Sequence, residues 1–101
     1  MISIRIDKTI IGKRGIIDYI ESHINSPYTN DNWDGFEEAI TDLCWLHNKE
    51  VRLIHLEWPQ LESKDMETYI SILKYAVSDG KKYIANGNSL AVYLAKDMNP
   101  L

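Results

Sequence analysis

Hydrophobic and polar residues alternate near both ends of the chain. The alternation in Ile2–Ile6 and in Ser89–Ala95 predicts a β-strand at each end, with branched apolar residues on one face. The segment Val51–Trp58 carries apolar residues on both faces, which suits the central strand of a sheet that is covered on both sides.

Between these strands, apolar residues follow the helical spacing of three and four. The spacing predicts helices from about residue 13 to 25, within the segment 28–46, and from about residue 65 to 86. Pro27 ends the first helix, whereas the third either continues through Gly80 or breaks there. Its predicted cap is Asp65, and its predicted apolar face includes Met66, Ile70, Leu73, Val77, Gly80 and Ile84.

The order strand, helix, helix, strand, helix, strand fixes the expected fold class. Every connection between strands contains a helix, which is the pattern of a parallel sheet with crossover connections. The sequence therefore predicts one α/β domain over residues 1–101. We expect a three-stranded, mostly parallel sheet packed with three to four helices.

Acidic side chains are concentrated in the segment 28–46. Its predicted helix has an apolar face, and Asp34, Glu38 and Asp42 form a stripe on another face, at intervals of four residues. Like charges at this spacing destabilise an isolated helix by about 0.2–0.5 kcal/mol per pair. The stripe is either a solvated face or a binding surface for a cationic partner. The expected apolar face consists of Trp33, Phe36, Ile40 and Leu43, and Asn32 is the expected N-cap of the helix.

The charge is segregated along the chain. Residues 15–48 contain seven acids and no Lys or Arg, so the rest of the chain is formally +3 although the total is −4. This balance argues against a protein that grips nucleic acid phosphates or an anionic membrane surface. No leader or membrane-spanning run is evident, so we expect a soluble, cytoplasmic protein. The single cysteine, Cys44, excludes an intramolecular disulfide, and we expect it to be buried in the acidic helix.

No motif for catalysis or cofactor binding is present, and we expect no cofactor, no metal and no enzymatic activity. Two alternatives stay open. One is a metal-dependent hydrolase that uses Asp34, Glu38 and His47, and the other is an acidic regulatory module that binds a basic protein other than a nuclease. His55 and Glu57 share a strand face and are expected to form a hydrogen-bonded pair or an exposed strand end.

The segment Asn32–Leu46, NWDGFEEAITDLCWL, resembles the hallmark helix of the barstar family, approximately N-W-D-A-[LF]-x-D-x-L-x-D-L-x-W-L. The agreement extends over nearly the whole chain. The Ile-rich first strand, Pro27, the sequence Leu56-Glu57-Trp58 and Gly87 before the last strand occur in the family's order.

The resemblance implies a small intracellular inhibitor of a microbial ribonuclease, with a three-stranded parallel sheet. Members of the family insert the acidic helix and the loop before it into the nuclease active site. By resemblance, we expect a monomer when free, with no direct contact to nucleic acid. The implied partner-binding residues are Tyr28, Asn30, Asp31, Asp34, Glu37, Glu38 and Asp42.

The chain departs from the family pattern at the predicted site. Glu38 stands where the pattern has Asp, and Glu37 stands where some relatives have a bulky aromatic residue. Lys82 occupies a position that can be acidic in relatives. The partner is therefore either a barnase-like enzyme or another ribonuclease toxin, for which this chain would be the immunity protein.

Overall fold

A computed structural model describes residues 1–98 of the chain. Strands and helices follow the predicted order, with one additional 3-10 helix before the last strand. Within these residues, no helix combines the length and the apolar character needed to cross a bilayer. The elements are β1 (Ile2–Ile6), α1 (Gly12–His23), α2 (Trp33–Asp42), β2 (Glu50–His55), α3 (Ser63–Val77), the 3-10 helix Asp79–Tyr83 and β3 (Ser89–Leu94).

The three strands form a parallel sheet in the order β1-β2-β3, so the fold-class prediction is confirmed. Register aligns Ile4 with Leu53 and Leu53 with Val92 across the sheet. β2 is the central strand, as its apolar composition predicted.

The helices cover one face of the sheet only. Side chains from that face, among them Ile4 and Leu53, join buried residues of all three helices in one hydrophobic core. The opposite face carries Arg5, Ile54 and Tyr93, which share one register row and are exposed or half-buried. The expectation of a sheet covered on both sides is therefore wrong, since the helices of every connection lie on the same side.

α3 ends at Val77, and the 3-10 helix begins two residues later, so the long helix is broken just before Gly80. Gly80 is buried, and a Cβ atom there would lie 2.8 Å from the ring of Tyr75. The helix cap is Glu62, not Asp65. The buried face is also rotated from the predicted one and consists of Tyr69, Ile72, Leu73 and Ala76.

His55 at the end of β2 is buried and does not pair with Glu57. Its Nδ1 lies 3.2 Å from the Tyr93 carbonyl oxygen, and its Nε2 lies 2.7 Å from the Tyr69 hydroxyl. Because a carbonyl only accepts, Nδ1 carries the proton and Nε2 accepts from Tyr69. Burial lowers the pKa of His55 to about 4. Glu57 is exposed and lies 3.6 Å from the Lys8 ammonium.

Acidification should destabilise the fold through His55. The unfolded chain takes up a proton near pH 6.5, whereas the folded chain stays neutral at this site until about pH 4. The contribution of neutral His55 to the free energy of unfolding is therefore fully present above pH 6.5. It falls between pH 6.5 and 4, with about 2 kcal/mol lost by pH 5. Urea unfolding at pH 7 and pH 5 measures this loss. The His55→Gln variant should lose much less between the two pH values, and an equal loss in both proteins would contradict the assignment.

Candidate functional site

The acidic helix α2 begins with the predicted cap. The side-chain oxygen of Asn32 accepts a 2.8 Å hydrogen bond from the backbone N–H of Gly35, which satisfies one of the free donors of the first turn. Asp34 lies in that turn, where the helix macrodipole favours a carboxylate.

The buried face of α2 fixes the helix against the rest of the fold. Phe36, Ala39 and Ile40 are buried in the core. Trp33 packs edge-on against the Phe36 ring, and its indole N–H donates a 3.0 Å hydrogen bond to the Asp65 carboxylate on α3. The position of the exposed face is thereby set by contacts to α3 and the core.

α2 ends earlier than the hydrophobic pattern suggests. Leu43 adopts a left-handed conformation (φ 53°) and its N–H donates to the Ala39 carbonyl, so the helix stops after Asp42. Leu43 is still buried, as predicted, but Cys44 lies beyond the helix and is exposed. The expectation of a buried thiol is wrong because the chain leaves the helix one residue before the cysteine.

A buried carboxylate organises the loop that leads into α2. Glu21 on α1 is only 5% exposed. Its carboxylate accepts hydrogen bonds from the backbone N–H of Asn30 (3.2 Å) and from the Asn30 side-chain amide (2.5 Å). The Asn30 side chain also fills the space beside Gly35, where any Cβ atom would overlap it. Asn30 thus joins α1, the loop and the first turn of α2.

Tyr28 stands at the outer edge of the same loop. The residue is 56% exposed, and its ring meets the Trp45 ring edge-on, with 6.1 Å between centroids. Trp45 is held in turn by its indole N–H, which donates to the Ile24 carbonyl at 2.8 Å. Together they border a pocket of about 210 Å³. Its other lining residues are Asn30, Gly35, Glu38, Ala39, Asp42 and Cys44.

A second cleft lies on the other side of α2, between that helix and α3. Asp34 and Glu37 line it from α2, and Glu67, Thr68 and Ser71 line it from α3. The acidic residues of α2 therefore border two depressions. Glu38 and Asp42 lie on the Tyr28 side, and Asp34 and Glu37 lie on the α3 side.

Within residues 1–98, the acids of α2 form no ion pair with a Lys, Arg or His side chain. Asp34, Glu38 and Asp42 are exposed, and Glu37 is half-buried. Asp31, upstream of the helix, is exposed and accepts a hydrogen bond from the Asn32 side chain. The result is a negative surface whose charge is not neutralised inside the described part of the fold.

The side chains named in the hydrolase alternative do not form a metal-ligand cluster in the described part of the chain. Among residues 1–98, no three or more His, Cys, Asp or Glu side chains are grouped so that they could hold an ion. Asp34, Glu38 and His47 therefore do not meet as the hydrolase alternative requires.

Most of the predicted site residues border the two depressions beside α2, and Asn30 also has a role inside the loop. Its side chain is committed to Glu21, so it shapes the loop from within. Sequence reasoning missed Glu21, although a signal was available. Glu21 lies four residues after Ile17 and three before Ile24, on the apolar face of α1, where an unpaired acid is unfavourable. Glu67 on α3 and the exposed Cys44 had no comparable signal.

Comparison with known proteins identifies the family. A family model described as "Barstar (barnase inhibitor)" matches residues 1–94, and the chain belongs to this family. Family membership implies an inhibitor of a barnase-like ribonuclease and not an enzyme. No curated protein and no solved structure gives a significant match.

Removal of the Glu21 carboxylate should loosen the loop before α2. Glu21→Ala leaves the amide groups of Asn30 without their acceptors, and we expect a loss of about 1–3 kcal/mol in the free energy of unfolding. Urea unfolding measures the loss, and hydrogen exchange should show weaker protection of the Asn30 amide. Asp18→Ala removes an exposed acid from the same helix and should change stability by less than about 0.5 kcal/mol. Equal stability of the two variants would show that the hydrogen bonds between Glu21 and Asn30 do not stabilise the fold.

Proposed function

We propose that this member of the barstar family is the immunity protein of a microbial ribonuclease toxin. It blocks the nuclease active site with α2 and with the loop residues Tyr28–Asp31. One observation carries the proposal: within residues 1–98 the exposed carboxylates along α2 form no ion pair, while the opposite face of the helix is fixed in the core. We propose that it acts in the cytoplasm of the cell that makes the nuclease.

The chemistry of the target explains the residue types. A ribonuclease must hold phosphate groups, so its active site presents Arg, Lys or His side chains. A carboxylate can occupy such a site in place of a phosphate oxygen, and a pair with Arg gains two parallel, charge-assisted hydrogen bonds. Glu38 is exposed beside the Tyr28 pocket, and we assign it the central contact. Asp34 and Asp42 lie one turn away on either side.

The same charges favour rapid association. Unpaired carboxylates on one surface attract a basic active site over a distance of about a Debye length, roughly 10 Å at 0.1 M salt. Complementary charge mainly raises the association rate, so the rate should fall steeply as salt is added. Binding also relieves the mutual repulsion between neighbouring acids of the stripe.

The loop would act as a preformed edge of the binding surface. Glu21 holds Asn30 by hydrogen bonds inside the fold, and the Trp45 ring contacts the ring of Tyr28 edge-on. A loop that is already ordered before binding does not lose that conformational freedom on association, which favours tight inhibition. Tyr28 and Asp31 supply the exposed contacts of this edge.

The test of the proposal is a titration of the protein into a panel of microbial ribonucleases that includes a barnase-type enzyme. RNA cleavage is followed at nuclease concentrations well above the expected dissociation constant. The proposal requires a sharp loss of activity that is complete at a one-to-one ratio for at least one nuclease. If no member of the panel is inhibited, the proposal is contradicted, and a regulatory module for another basic protein becomes the better account.

Reversal of one charge on α2 should separate binding from folding. Glu38→Lys places a cation against the basic active site, and we expect inhibition to weaken at least 100-fold, equivalent to about 3 kcal/mol. Because Glu38 is exposed, the thermal unfolding midpoint should change little. The inhibition constant and the unfolding curve are the two measurements.

Glu57→Lys is the matched control for this variant. It makes the same charge change at an exposed acid that follows β2, outside the acidic helix. It should inhibit within a few-fold of the unmodified protein. Retained tight inhibition by Glu38→Lys, or equal losses in the two variants, would rule out Glu38 as the central contact.

A further inference from the structure

Two lysines and a tyrosine are exposed at the end of the 3-10 helix. Lys81 and Lys82 are both exposed, and the Tyr83 ring is 59% exposed. The Lys82 ammonium lies 5.2 Å from the centre of the Tyr83 ring, within the range of a cation–π contact. We refer to Lys81, Lys82 and Tyr83 as the basic corner.

The basic corner borders the C-terminal end of the acidic helix. The 3-10 helix packs against α2, and the backbone N–H of Ala85 donates a 3.0 Å hydrogen bond to the Asp42 carbonyl. The Asn86 side chain donates to the Cys44 carbonyl at 2.8 Å, which holds the same two segments together. Three residues of chain span at most about 11 Å, so the Lys82 backbone lies within that distance of the Ala85 backbone.

Apart from the contact of Lys82 with Tyr83, no charge interaction within residues 1–98 accounts for the two lysines. Neither lysine forms an ion pair within the part of the chain that the structure describes, although Asp42 is also unpaired and exposed. The dipole of α3 does not act on them directly, because that helix ends at Val77 and the lysines lie in the last turn of the five-residue 3-10 helix. Their charges therefore face solvent beside a surface of opposite sign.

A uniformly basic partner would be repelled at this corner. The acids of α2 attract the cations of a phosphate site, but the same cations placed against Lys81 and Lys82 would reduce affinity. A partner that contacts both surfaces must carry positive charge opposite the acids of α2 and negative charge opposite the two lysines. Tyr83 adds a rigid aromatic ring beside the charges, and tyrosine is a residue type that protein interfaces favour.

We propose that the basic corner is a second contact for the same ribonuclease, and that this enzyme carries Asp or Glu side chains on the rim of its phosphate site. The acidic rim would meet the chain where α2 ends. The inference rests on the proposed function and specifies the partner's chemistry. The basic corner would then contribute to selectivity. It would favour a nuclease with acidic residues beside its phosphate site and disfavour one with basic residues at that place.

The test compares two double variants that make the same change in net charge. Lys81→Glu/Lys82→Glu reverses the corner. Lys8→Glu/Lys96→Glu reverses two exposed lysines that follow β1 and β3 at the carboxyl end of the parallel sheet, whereas the basic corner precedes β3. Both are titrated against the ribonuclease that the unmodified protein inhibits most strongly, and thermal unfolding establishes that each is folded.

We expect the corner variant to inhibit at least tenfold more weakly than the unmodified protein, and the control to change by no more than about threefold. Equal effects would mean that only net charge matters, which overturns the inference. Stronger inhibition by the corner variant would reveal a basic rim and also overturns it. If the unmodified protein inhibits no ribonuclease, the proposed function fails, and this inference fails with it.

Discussion

The buried ring of Tyr69 holds the acidic helix in place. Its hydroxyl donates to His55 at the end of β2, and its ring stacks on Phe36 of α2 with 6.5 Å between centroids. Trp33 and Trp58 pack around the same ring. Three elements therefore meet at one side chain of α3, and α2 depends on this contact for its position. Because the hydroxyl has a partner, Tyr69 can be fully buried without leaving a polar group unsatisfied.

This support explains how α2 tolerates a charge pattern that is unfavourable for a helix alone. Repulsion within the stripe is small beside the burial of Phe36 and Ile40, since each such side chain contributes about 1.5–3 kcal/mol when it leaves water. The core and the hydrogen bond between Trp33 and Asp65 order the helix before any partner arrives. In the proposed inhibitor, the acids are then free to serve recognition.

Sequence reasoning was accurate where a local pattern decides the outcome. Alternation located β1 and β3, and Asn32 capped α2 as its side chain predicts. It was less accurate where distant contacts decide. The buried face of α3 is set by Tyr69, which points at His55 although hydropathy favoured its neighbours. The burial of His55 depends on Tyr69, 14 residues away, and the position of Asn30 depends on its hydrogen bonds to Glu21, 9 residues away. A local pattern does not contain either pairing.

The most direct test of the central claim is competition for the nuclease active site. A ribonuclease that the protein inhibits is titrated with the protein by calorimetry, at increasing concentrations of a mononucleotide that occupies the phosphate site. The account predicts mutually exclusive binding, so that the apparent dissociation constant of the protein rises in proportion to nucleotide once the site is saturated. A dissociation constant that stays unchanged in saturating nucleotide would place the inhibitor elsewhere on the enzyme and contradict the account.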